Sequence, residues 1–322
     1  MDEIVPRLHP GMLIVLESTT YPGTTEELML PRLEETGLRA GVDFFLGFSP
    51  ERVDPANKHY TTRNTPKVVG GVTPQCTERA MQLYRRAVEH VVTVSNARTA
   101  EMVKLLENTF RAVNIGMVNE LAQICDRLGV DVWEVIDAAK TKPFGFMPFY
   151  PGPGLGGHCI PIDPLYLSWK LKTLDYNARF IELASTINSS MPQYVVEKIM
   201  DALNGVCKSV KNSKILVVGL AYKKDVSDVR ESPALDIIGM LRQKGALITY
   251  SDPYIAELEL LGETLVNYPL ENGAQGFDIA VIITNHSAFD YRRLLEEAPL
   301  VFDTRNATAG LTPPDSCTLI KL

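Results

Sequence analysis

The sequence has few cysteines, and they form no recognisable pairing pattern. The five cysteines are scattered and include no Cys-x-x-Cys pair; they are Cys76, Cys125, Cys159, Cys207 and Cys317. This distribution argues against a disulfide framework and against a zinc site. It is typical of reduced thiols, so we expect a cytoplasmic protein without a metal centre.

Long apolar runs and a secretory signal are also lacking. No apolar run approaches the roughly 18 residues that indicate a membrane span. The first residues, MDEIVPRLHPGM, do not show the charged-then-apolar order of a signal peptide. The sequence therefore predicts no membrane partner.

A basic surface is lacking as well. The formal net charge of the 322 residues is −7, and no long basic run occurs, which argues against nucleic acid as a partner. The composition, 45% hydrophobic and 22% charged, is that of an ordinary globular protein, and the length indicates two or three domains. A phosphate-bearing small molecule is still compatible with this charge, because local side chains decide its binding.

The pattern of strands and helices divides the chain into three segments. Residues 1–96 alternate strand and helix signals, residues 97–205 are helical with a long amphipathic helix at 97–128, and residues 206–322 are again α/β. Strands are predicted at 12–18, 44–50, 67–72, 91–95, 214–220, 246–253, 278–284 and 300–305. Helices are predicted at 24–36, 73–88, 131–140, 164–173, 178–204 and from Ser232. The later strands are apolar throughout, which favours a parallel sheet.

The segment 142–164 is too rich in proline and glycine for regular structure, and such a long loop is often functional. It contains Cys159 in GGHCIPID, where Gly156 and Gly157 would let a ligand approach the backbone. A partly exposed thiol with a stabilised thiolate is a nucleophile; the alternative is a structural cysteine. The stretch GPGLGG (152–157) fits G-x-G-x-x-G, but no strand precedes it and no helix follows it, so we reject it as a dinucleotide site. No acceptable fingerprint occurs elsewhere.

Several polar side chains are candidates for binding or catalysis. Lys104 and Asn108 share a helix face and could converge on an oxyanion or form a solvated stripe. Cationic residues follow predicted strands at the edge where parallel sheets bind ligands, and they suit phosphate or carboxylate. These cations are Lys223, Lys224, Arg230 and Arg305.

Taken together, six segments in order resemble the UDP-glucose/GDP-mannose dehydrogenase family. They are ESTTYPGTT (17–25), GFSPERVDPAN (47–57), VKLLENTFRAVNIGMVNEL (103–121), GPGLGGHCIPIDP (152–164), GLAYKKDVSDVRESPA (219–234) and FDTRN (302–306). The resemblance implies two Rossmann-like domains, for NAD at 1–96 and for the UDP-sugar at 206–322. It also implies a central helical domain at 97–205 that contains the catalytic loop 142–164 and forms a homodimer through the helix at 97–128.

The resemblance also implies roles for individual residues. Family members oxidise a sugar C6 alcohol to a carboxylate with two NAD⁺, and Cys159 matches the nucleophile that captures the aldehyde. Lys104 and Asn108 match the oxyanion site, and Asp163 matches the aspartate that moves protons with a water. Thr19 and Glu51 match the residues that hold that water and assist hydrolysis. Thr19 and Arg230 match contacts to the cofactor. The UDP-sugar site is matched by Gly154, Leu155, Gly156, Gly157, Lys223 and Arg305.

The pattern GGHCIPIDP is that of the members acting on UDP-N-acetylhexosamines, because Ile162 stands where the UDP-glucose branch usually has a lysine. Within this group we slightly favour UDP-N-acetylglucosamine over UDP-N-acetylmannosamine, and the resemblance implies surface-polysaccharide precursor synthesis as the setting. A UDP-glucose dehydrogenase is a further alternative.

The family's opening strand and G-x-G-Y-V-G turn are not found before ESTTYPGTT. We therefore expect a partial NAD-binding domain that lacks its principal half, weak NAD binding and little turnover by the chain alone. Two alternatives stay open: a non-catalytic UDP-sugar-binding remnant, and an unrelated thiol enzyme, which would need a base near Cys159.

Overall fold

The computed structural model describes residues 1–53, 57 and 59–322. The chain forms two compact units. The first comprises Met1–Arg111 with Ile162–Ile181, and the second comprises Ala112–Pro161 with Glu182–Leu322. The division of the sequence at residues 96 and 205 stays a prediction.

In the described residues before position 206, the strands and α-helices number ten. In chain order they are β1 (Leu13–Leu16), α1 (Leu30–Glu34), β2 (Phe45–Phe48), β3 (Lys67–Gly71), α2 (Pro74–Tyr84), β4 (Val91–Thr93), α3 (Ala97–Leu128), α4 (Val132–Ala139), α5 (Asp163–Lys172) and α6 (Arg179–Gly205). The predicted long helix at 97–128 is confirmed as α3.

The first sheet has the order β1-β2-β3-β4. The pairs β1/β2 and β3/β4 are parallel, but β2 and β3 run antiparallel, with Gly47 opposite Gly71 and Phe48 opposite Gly70. A Cβ on Gly70 would lie 2.1 Å from the Asn96 carbonyl oxygen. Glycine at this position therefore allows β3 to pack against the start of α3.

The helix predicted at 24–36 departs from a regular α-helix. Thr25–Met29 form a π-helical turn, in which the Leu30 N–H donates to the Thr25 carbonyl, and α1 follows directly. Pro31 explains the departure, because it has no N–H with which to continue the i→i−4 series. The sequence showed the proline but not the wider turn that accommodates it.

Nine elements follow residue 206. They are β5 (Lys214–Val218), α7 (Pro233–Gln243), β6 (Leu247–Ser251), β7 (Glu257–Leu260), β8 (Glu263–Val266), β9 (Ile279–Ile282), α8 (Tyr291–Glu297), β10 (Leu300–Asp303) and β11 (Thr318–Lys321). The main sheet has the order β11-β10-β9-β5-β6, and all of its pairs are parallel, so the predicted parallel α/β unit is confirmed. The hairpin β7–β8, the helix α8 and the strand β11 are absent from the sequence prediction.

The core of the second unit lies on both faces of this parallel sheet. One face packs α7 through Ile237 and Leu241, which are fully buried, and the other packs α8 through Leu294 and Leu295. Strands buried on both faces explain the continuous apolar runs in the sequence. Within the described ranges, which omit residues 54–56 and 58, no helix is long and apolar enough to cross a membrane.

We expect Ile237→Ala to destabilise the second unit by about 2–5 kcal/mol, because it leaves a cavity beside the central strands. Leu247 lies on the edge strand β6 and is 53% exposed, so Leu247→Ala should change the free energy of unfolding by less than about 0.5 kcal/mol. Urea denaturation of the two variants beside the wild type measures both. Equal losses would contradict this placement of the core.

Candidate active site

One face of α3 contacts three segments of the first unit that are far apart in sequence. Glu101, Lys104 and Asn108 are spaced three and four residues apart, so they lie on the same side of the helix. Their partners are in the loop after β1, in the loop after β2 and at the start of α5. The helix therefore gathers these segments around one surface.

Asn108 and Asp163 form a buried pair. The Asn108 amide nitrogen donates to the Asp163 carboxylate at 2.6 Å, and the two residues are only 5% and 4% exposed. Asp163 is the first residue of α5, where the helix dipole stabilises a negative charge. The solvated-stripe interpretation of Asn108 is therefore wrong.

Lys104 contacts the loop after β2. Its ammonium donates to the Glu51 carbonyl oxygen at 2.8 Å. The Glu51 carboxylate accepts hydrogen bonds from the N–H groups of Arg52 and Val53 and forms an ion pair with Lys67 at 3.4 Å. Burial opposes ionisation, but these donors hold the pKa of Glu51 below its ordinary value. Glu51 is therefore a carboxylate at neutral pH, and residues 54–56 of its motif lie outside the described residues.

Glu101 is a buried carboxyl that the sequence analysis missed. It accepts hydrogen bonds from the Gly23 N–H at 2.5 Å, the Thr25 N–H at 2.9 Å and the Thr25 hydroxyl at 2.6 Å. Burial raises the pKa of Glu101, while these three donors act in the opposite direction. Glu101 thereby fixes the end of the loop that carries the partly buried Thr19. The signal in the sequence that could have revealed Glu101 is a charged residue on the face of α3 that packs inward.

The glycine-rich loop lies in the second unit. The Gly152 N–H donates to the side-chain oxygen of Asn119 on α3 at 2.9 Å, and the Gly157 N–H donates to the Arg230 carbonyl at 3.0 Å. Asn119 is itself held by a hydrogen bond to Asn188 on α6. The segment 152–157 neither follows a strand nor begins a helix.

At Gly154 and Gly156 the loop passes so close to its neighbours that there is no room for a side chain. A Cβ on Gly156 would lie 2.6 Å from the Tyr222 Cβ, and Gly154 has φ +136° and faces Pro192 and Pro233. Leu155 is partly buried between them. The loop therefore packs against Pro192 and Pro233, whose rings are rigid, and against the loop after β5.

Cys159 follows this loop and is only partly buried. The pKa of Arg230 is raised first by its ion pair with Asp228, at 2.6 Å, and to a smaller extent by the charge of Cys159. The thiolate is the nucleophilic form of cysteine. Its partial exposure is compatible with the nucleophile interpretation, which stays a prediction.

Arg305 is placed at the carboxyl edge of the parallel sheet. Its Nε donates to the Ile283 carbonyl at 2.9 Å, and its backbone N–H donates to the buried Asp303 carboxylate. Burial of the guanidinium lowers the pKa of Arg305 to about 10, which leaves it protonated at neutral pH. Its Nη1 would lie 2.5 Å from a Cβ on Gly152, so Arg305 packs directly against the glycine-rich loop.

The loop after β5 carries Lys223, which is half-buried, and Lys224, which is exposed. Since β5 and β9 are neighbours, while α7 leads to β6 on the other side, this loop leaves the sheet where the strand order reverses. That position is the usual ligand site of an open parallel sheet. Two groups the sequence analysis missed, Asp252 and His286, lie buried beside it.

The structure thus assembles the predicted residues in two groups. Lys104, Asn108, Asp163 and Glu51 are joined by contacts within the first unit, together with Glu101. Within the second unit, the glycine-rich loop lies against Arg305 and the loop that carries Lys223 and Arg230. The first group offers an ammonium, an amide and carboxylates, and the second offers cations and a thiol.

Three family models match the chain in order. They are described as the NAD binding domain, the central domain and the UDP binding domain of the UDP-glucose/GDP-mannose dehydrogenase family, and they cover residues 1–88, 98–190 and 216–310. An NAD binding domain followed by a helical centre and a UDP binding domain defines a nucleotide-sugar dehydrogenase.

Individual relatives agree with the family models. A UDP-N-acetyl-D-mannosamine dehydrogenase from Methanococcus maripaludis is 36% identical over 95% of this chain and 69% of its own length. A UDP-N-acetyl-D-glucosamine 6-dehydrogenase from Pseudomonas aeruginosa is 35% identical over 92% of this chain and 72% of its own. A solved UDP-D-ManNAc dehydrogenase from Pyrococcus horikoshii superposes with a TM-score of 0.88 at 34% identity, over 99% of this chain and 74% of that one. The chain belongs to the UDP-glucose/GDP-mannose dehydrogenase family, and by family it is an NAD-dependent UDP-sugar dehydrogenase.

The family match corrects one expectation. The NAD binding domain model matches residues 1–88, so the prediction that the chain lacks the principal half of that domain is not supported. The weak NAD binding and low turnover expected from that absence lose their basis with it. The missing glycine fingerprint misled the prediction because it is one local signal, whereas the family match extends over the whole segment.

We expect Gly152→Ala to weaken the binding of UDP, because its new methyl group displaces the Arg305 guanidinium. The dissociation constant should rise at least about tenfold, or about 1.4 kcal/mol, which is the size of one hydrogen bond to a charged group. Isothermal calorimetry with UDP measures the change. Gly239→Ala is the matched control, since a Cβ there meets nothing within 4 Å. Unchanged binding by Gly152→Ala would show that Arg305 does not contact the nucleotide.

Proposed function

We propose that the chain is an NAD-dependent UDP-N-acetylhexosamine 6-dehydrogenase that oxidises the C6 alcohol to a carboxylate. The observation that carries this proposal is the pairing of residues matched to catalytic roles: Asn108 with Asp163, and Lys104 with the Glu51 segment. In the overall reaction an alcohol, a water and two NAD⁺ give a carboxylate, two NADH and three protons. The cofactor's part is to accept a hydride in each oxidation.

Cys159 divides this four-electron oxidation into two stages. After the first hydride leaves C6, the thiolate sulfur adds to the aldehyde carbon, and the oxygen takes a proton to give a thiohemiacetal. Loss of the second hydride and of the hydroxyl proton gives a thioester. Water then adds to the thioester carbon, the carbon–sulfur bond breaks, and the uronate and the thiol are released. Covalent capture retains the reactive aldehyde throughout.

The first-unit residues supply charge stabilisation and proton transfer in this proposal. Lys104 and Asn108 donate hydrogen bonds to the oxygen that becomes negative during thiol addition and hydrolysis. Asp163 accepts the proton of the C6 alcohol or of a water that it orients. Thr19 and the ionised Glu51 hold that water and assist hydrolysis. The buried Asn108–Asp163 contact fixes the orientation of both side chains.

The second unit would hold the nucleotide sugar. Arg305 and Lys223 provide the positive charge for the diphosphate at the edge of the parallel sheet. The loop residues Gly154, Leu155, Gly156 and Gly157 would line the sugar and the diphosphate, and the glycines would let the ligand approach the backbone closely.

In this proposal the cofactor would bind at the carboxyl ends of β1 and β2. These parallel neighbours are followed by Thr19 and Glu51, and open α/β sheets bind dinucleotides at such an edge. Arg230 is the second-unit candidate for a cofactor contact. Its guanidinium is engaged with Asp228, so a cofactor phosphate would compete with that carboxylate.

The N-acetylhexosamine assignment rests on the GGHCIPIDP segment and on the relatives, whose names include N-acetylmannosamine, N-acetylglucosamine and N-acetylgalactosaminuronic acid enzymes. Within this group we slightly favour UDP-N-acetylglucosamine over its C2 epimer. A panel of UDP-N-acetylglucosamine, UDP-N-acetylmannosamine, UDP-N-acetylgalactosamine and UDP-glucose tests this order. Preference for UDP-glucose would overturn the assignment.

We expect the wild-type chain to form NADH from NAD⁺ and a UDP-N-acetylhexosamine at roughly 1 s⁻¹ or faster. Cys159→Ser should lower the turnover at least about a thousandfold, because a hydroxyl is far less nucleophilic than a thiolate. NADH absorbance follows the reaction, and Cys207→Ser is the matched control because Cys207 is exposed and lies outside the loop. UDP-sugar binding without NADH formation by the wild type would favour a non-catalytic binding protein instead.

We propose that the chain also forms a homodimer through α3. Its exposed apolar residues recur at spacings of four and seven, which places them on one stripe; they are Leu106, Phe110, Met117, Ile124 and Leu128. A monomeric protein rarely exposes such a continuous apolar patch. The stripe is therefore suited to packing against the same helix of a second copy.

We expect the double substitution Met117→Glu with Ile124→Glu to convert the dimer into a monomer, because it places charges in the proposed interface. Light scattering after gel filtration measures the mass. Val42→Glu is the control, since Val42 is 64% exposed and lies outside α3. A dimer that survives the double substitution, or a monomeric wild type, would contradict the proposed interface.

A cytoplasmic location is proposed from the thiols. The five cysteines form no disulfide bond, and Cys159 must be reduced to act as a nucleophile. Reduced thiols persist in the cytosol.

A further inference from the structure

The loop after β5 is held by a histidine that is completely buried. His286, in the loop after β9, accepts a hydrogen bond from the Asp225 N–H on its Nδ1 at 2.9 Å, and its Nε2 lies 3.0 Å from the Asp252 carboxylate. Because Nδ1 is the acceptor, the neutral ring carries its proton on Nε2 and donates it to Asp252. One tautomer satisfies both partners.

Asp252 ties the beginning of the same loop to the end of β6. Its Oδ2 accepts hydrogen bonds from the N–H groups of Leu220 at 2.7 Å and Ala221 at 3.1 Å, besides the one from His286. Burial opposes ionisation, but these donors hold the pKa of Asp252 below its ordinary value. Its Oδ1 also accepts from the Tyr254 N–H at 2.9 Å. A buried carboxylate with four donors is a rigid attachment point.

Asp225 ties the other end of the loop to the end of β9. Its carboxylate accepts hydrogen bonds from the N–H and the hydroxyl of Ser287, at 2.7 and 2.8 Å. Asp225 has φ +59°, a left-handed conformation that is uncommon outside glycine, although aspartate adopts it more readily than most residues. The hydrogen bond from its N–H to His286 helps to hold that conformation.

The histidine ring itself cannot rotate freely. Tyr254 and Phe289 contact it edge-on, with centroid distances of 5.0 and 5.7 Å. The ring therefore presents its two nitrogens in fixed directions. Nδ1 faces the Asp225 N–H, and Nε2 faces the Asp252 carboxylate, which holds Leu220 and Ala221 at the other end of residues 220–225. Lys223 lies between these two ends.

We propose that His286 is a positioning residue for nucleotide-sugar binding, acting through residues 220–225 to place Lys223. The inference rests on the proposed function, because it requires Lys223 to contact the diphosphate. His286 would thereby control the affinity for the UDP portion, although its side chain is buried and does not contact the substrate.

Two substitutions separate the two hydrogen bonds. In His286→Gln the side-chain amide can reach the Nε2 position and donate to Asp252, but the acceptor for Asp225 is lost. In His286→Asn the amide oxygen can occupy the Nδ1 position and accept from Asp225, but the donor to Asp252 is lost. Because the Asp225 contact restrains the end of the loop next to Lys223, the glutamine variant should have the larger effect.

We expect His286→Gln to raise the dissociation constant for UDP, measured by calorimetry, at least about tenfold, or about 1.4 kcal/mol. The KM for the UDP-sugar should rise with it, while kcat and the KM for NAD⁺ stay unchanged. His286→Asn should bind UDP more tightly than His286→Gln. Hydrogen exchange should show faster exchange of the Asp225 amide in the glutamine variant. A general loss of stability would not produce this combination.

Ser213→Ala is the control for loss of a buried hydrogen bond, since Ser213 is 4% exposed and lies at the opposite end of β5. It should leave UDP binding unchanged. Unchanged UDP binding by His286→Gln, beside a wild type that binds, would overturn the role of His286 alone. A wild type that binds no UDP would instead overturn the proposed function. A His286→Gln variant that has the same melting temperature as Ser213→Ala but binds UDP more weakly would support the proposal.

Discussion

The contacts along one face of α3 are the constraint on which the first unit's site depends. Glu101 fixes the loop after β1, Lys104 contacts the loop after β2, and Asn108 holds Asp163 at the start of α5. A helix offers neighbouring positions at three- and four-residue spacing, so a single rigid element sets the distances between groups that come from three separate segments. Preorganised donors and carboxylates of this kind are what stabilisation of a developing oxyanion requires. The cost is the burial of the polar side chains of Glu101, Asn108 and Asp163, which the hydrogen bonds to their partners offset.

The second unit, in the proposed function, binds a strongly anionic ligand. The parallel sheet brings the ends of four strands to one edge, and the loops after them carry Lys223, Asp252, His286 and Arg305. The cations could not remain in place without restraint, because their mutual repulsion and their solvation would favour dispersal. Backbone carbonyls and buried carboxylates provide that restraint, as when Arg305 donates to Ile283. The glycine-rich loop then approaches Arg305 more closely than any residue with a Cβ would allow.

The sequence was sufficient for much of this account, and its failures have physical causes. The long helix followed from apolar periodicity, and the shared face of Lys104 and Asn108 followed from their spacing. The Asn108–Asp163 pair joins residues 55 positions apart, so only the packed structure could reveal it. Glu101 and His286 were missed because a buried charged or polar side chain looks like a surface one until its partners are known. The hairpin β7–β8 was missed although Glu257–Leu260 alternate polar and apolar residues around the Leu261–Gly262 turn, where both residues have positive φ. The strand β11 lies between proline-rich residues and the C-terminal end, where a four-residue run carries little signal.

The central claim is that α3 organises the catalytic groups as one unit, and a double-mutant cycle between Asn108 and Asp163 tests it most directly. The kcat/KM for the UDP-sugar is measured for Asn108→Ala, Asp163→Ala, the double variant and the wild type. If the two side chains act through their buried contact, the double variant will be hardly slower than the slower single variant, with a coupling energy of about 1–3 kcal/mol. If the two losses multiply, the residues act independently, and the account of α3 as the organising element of the site is contradicted.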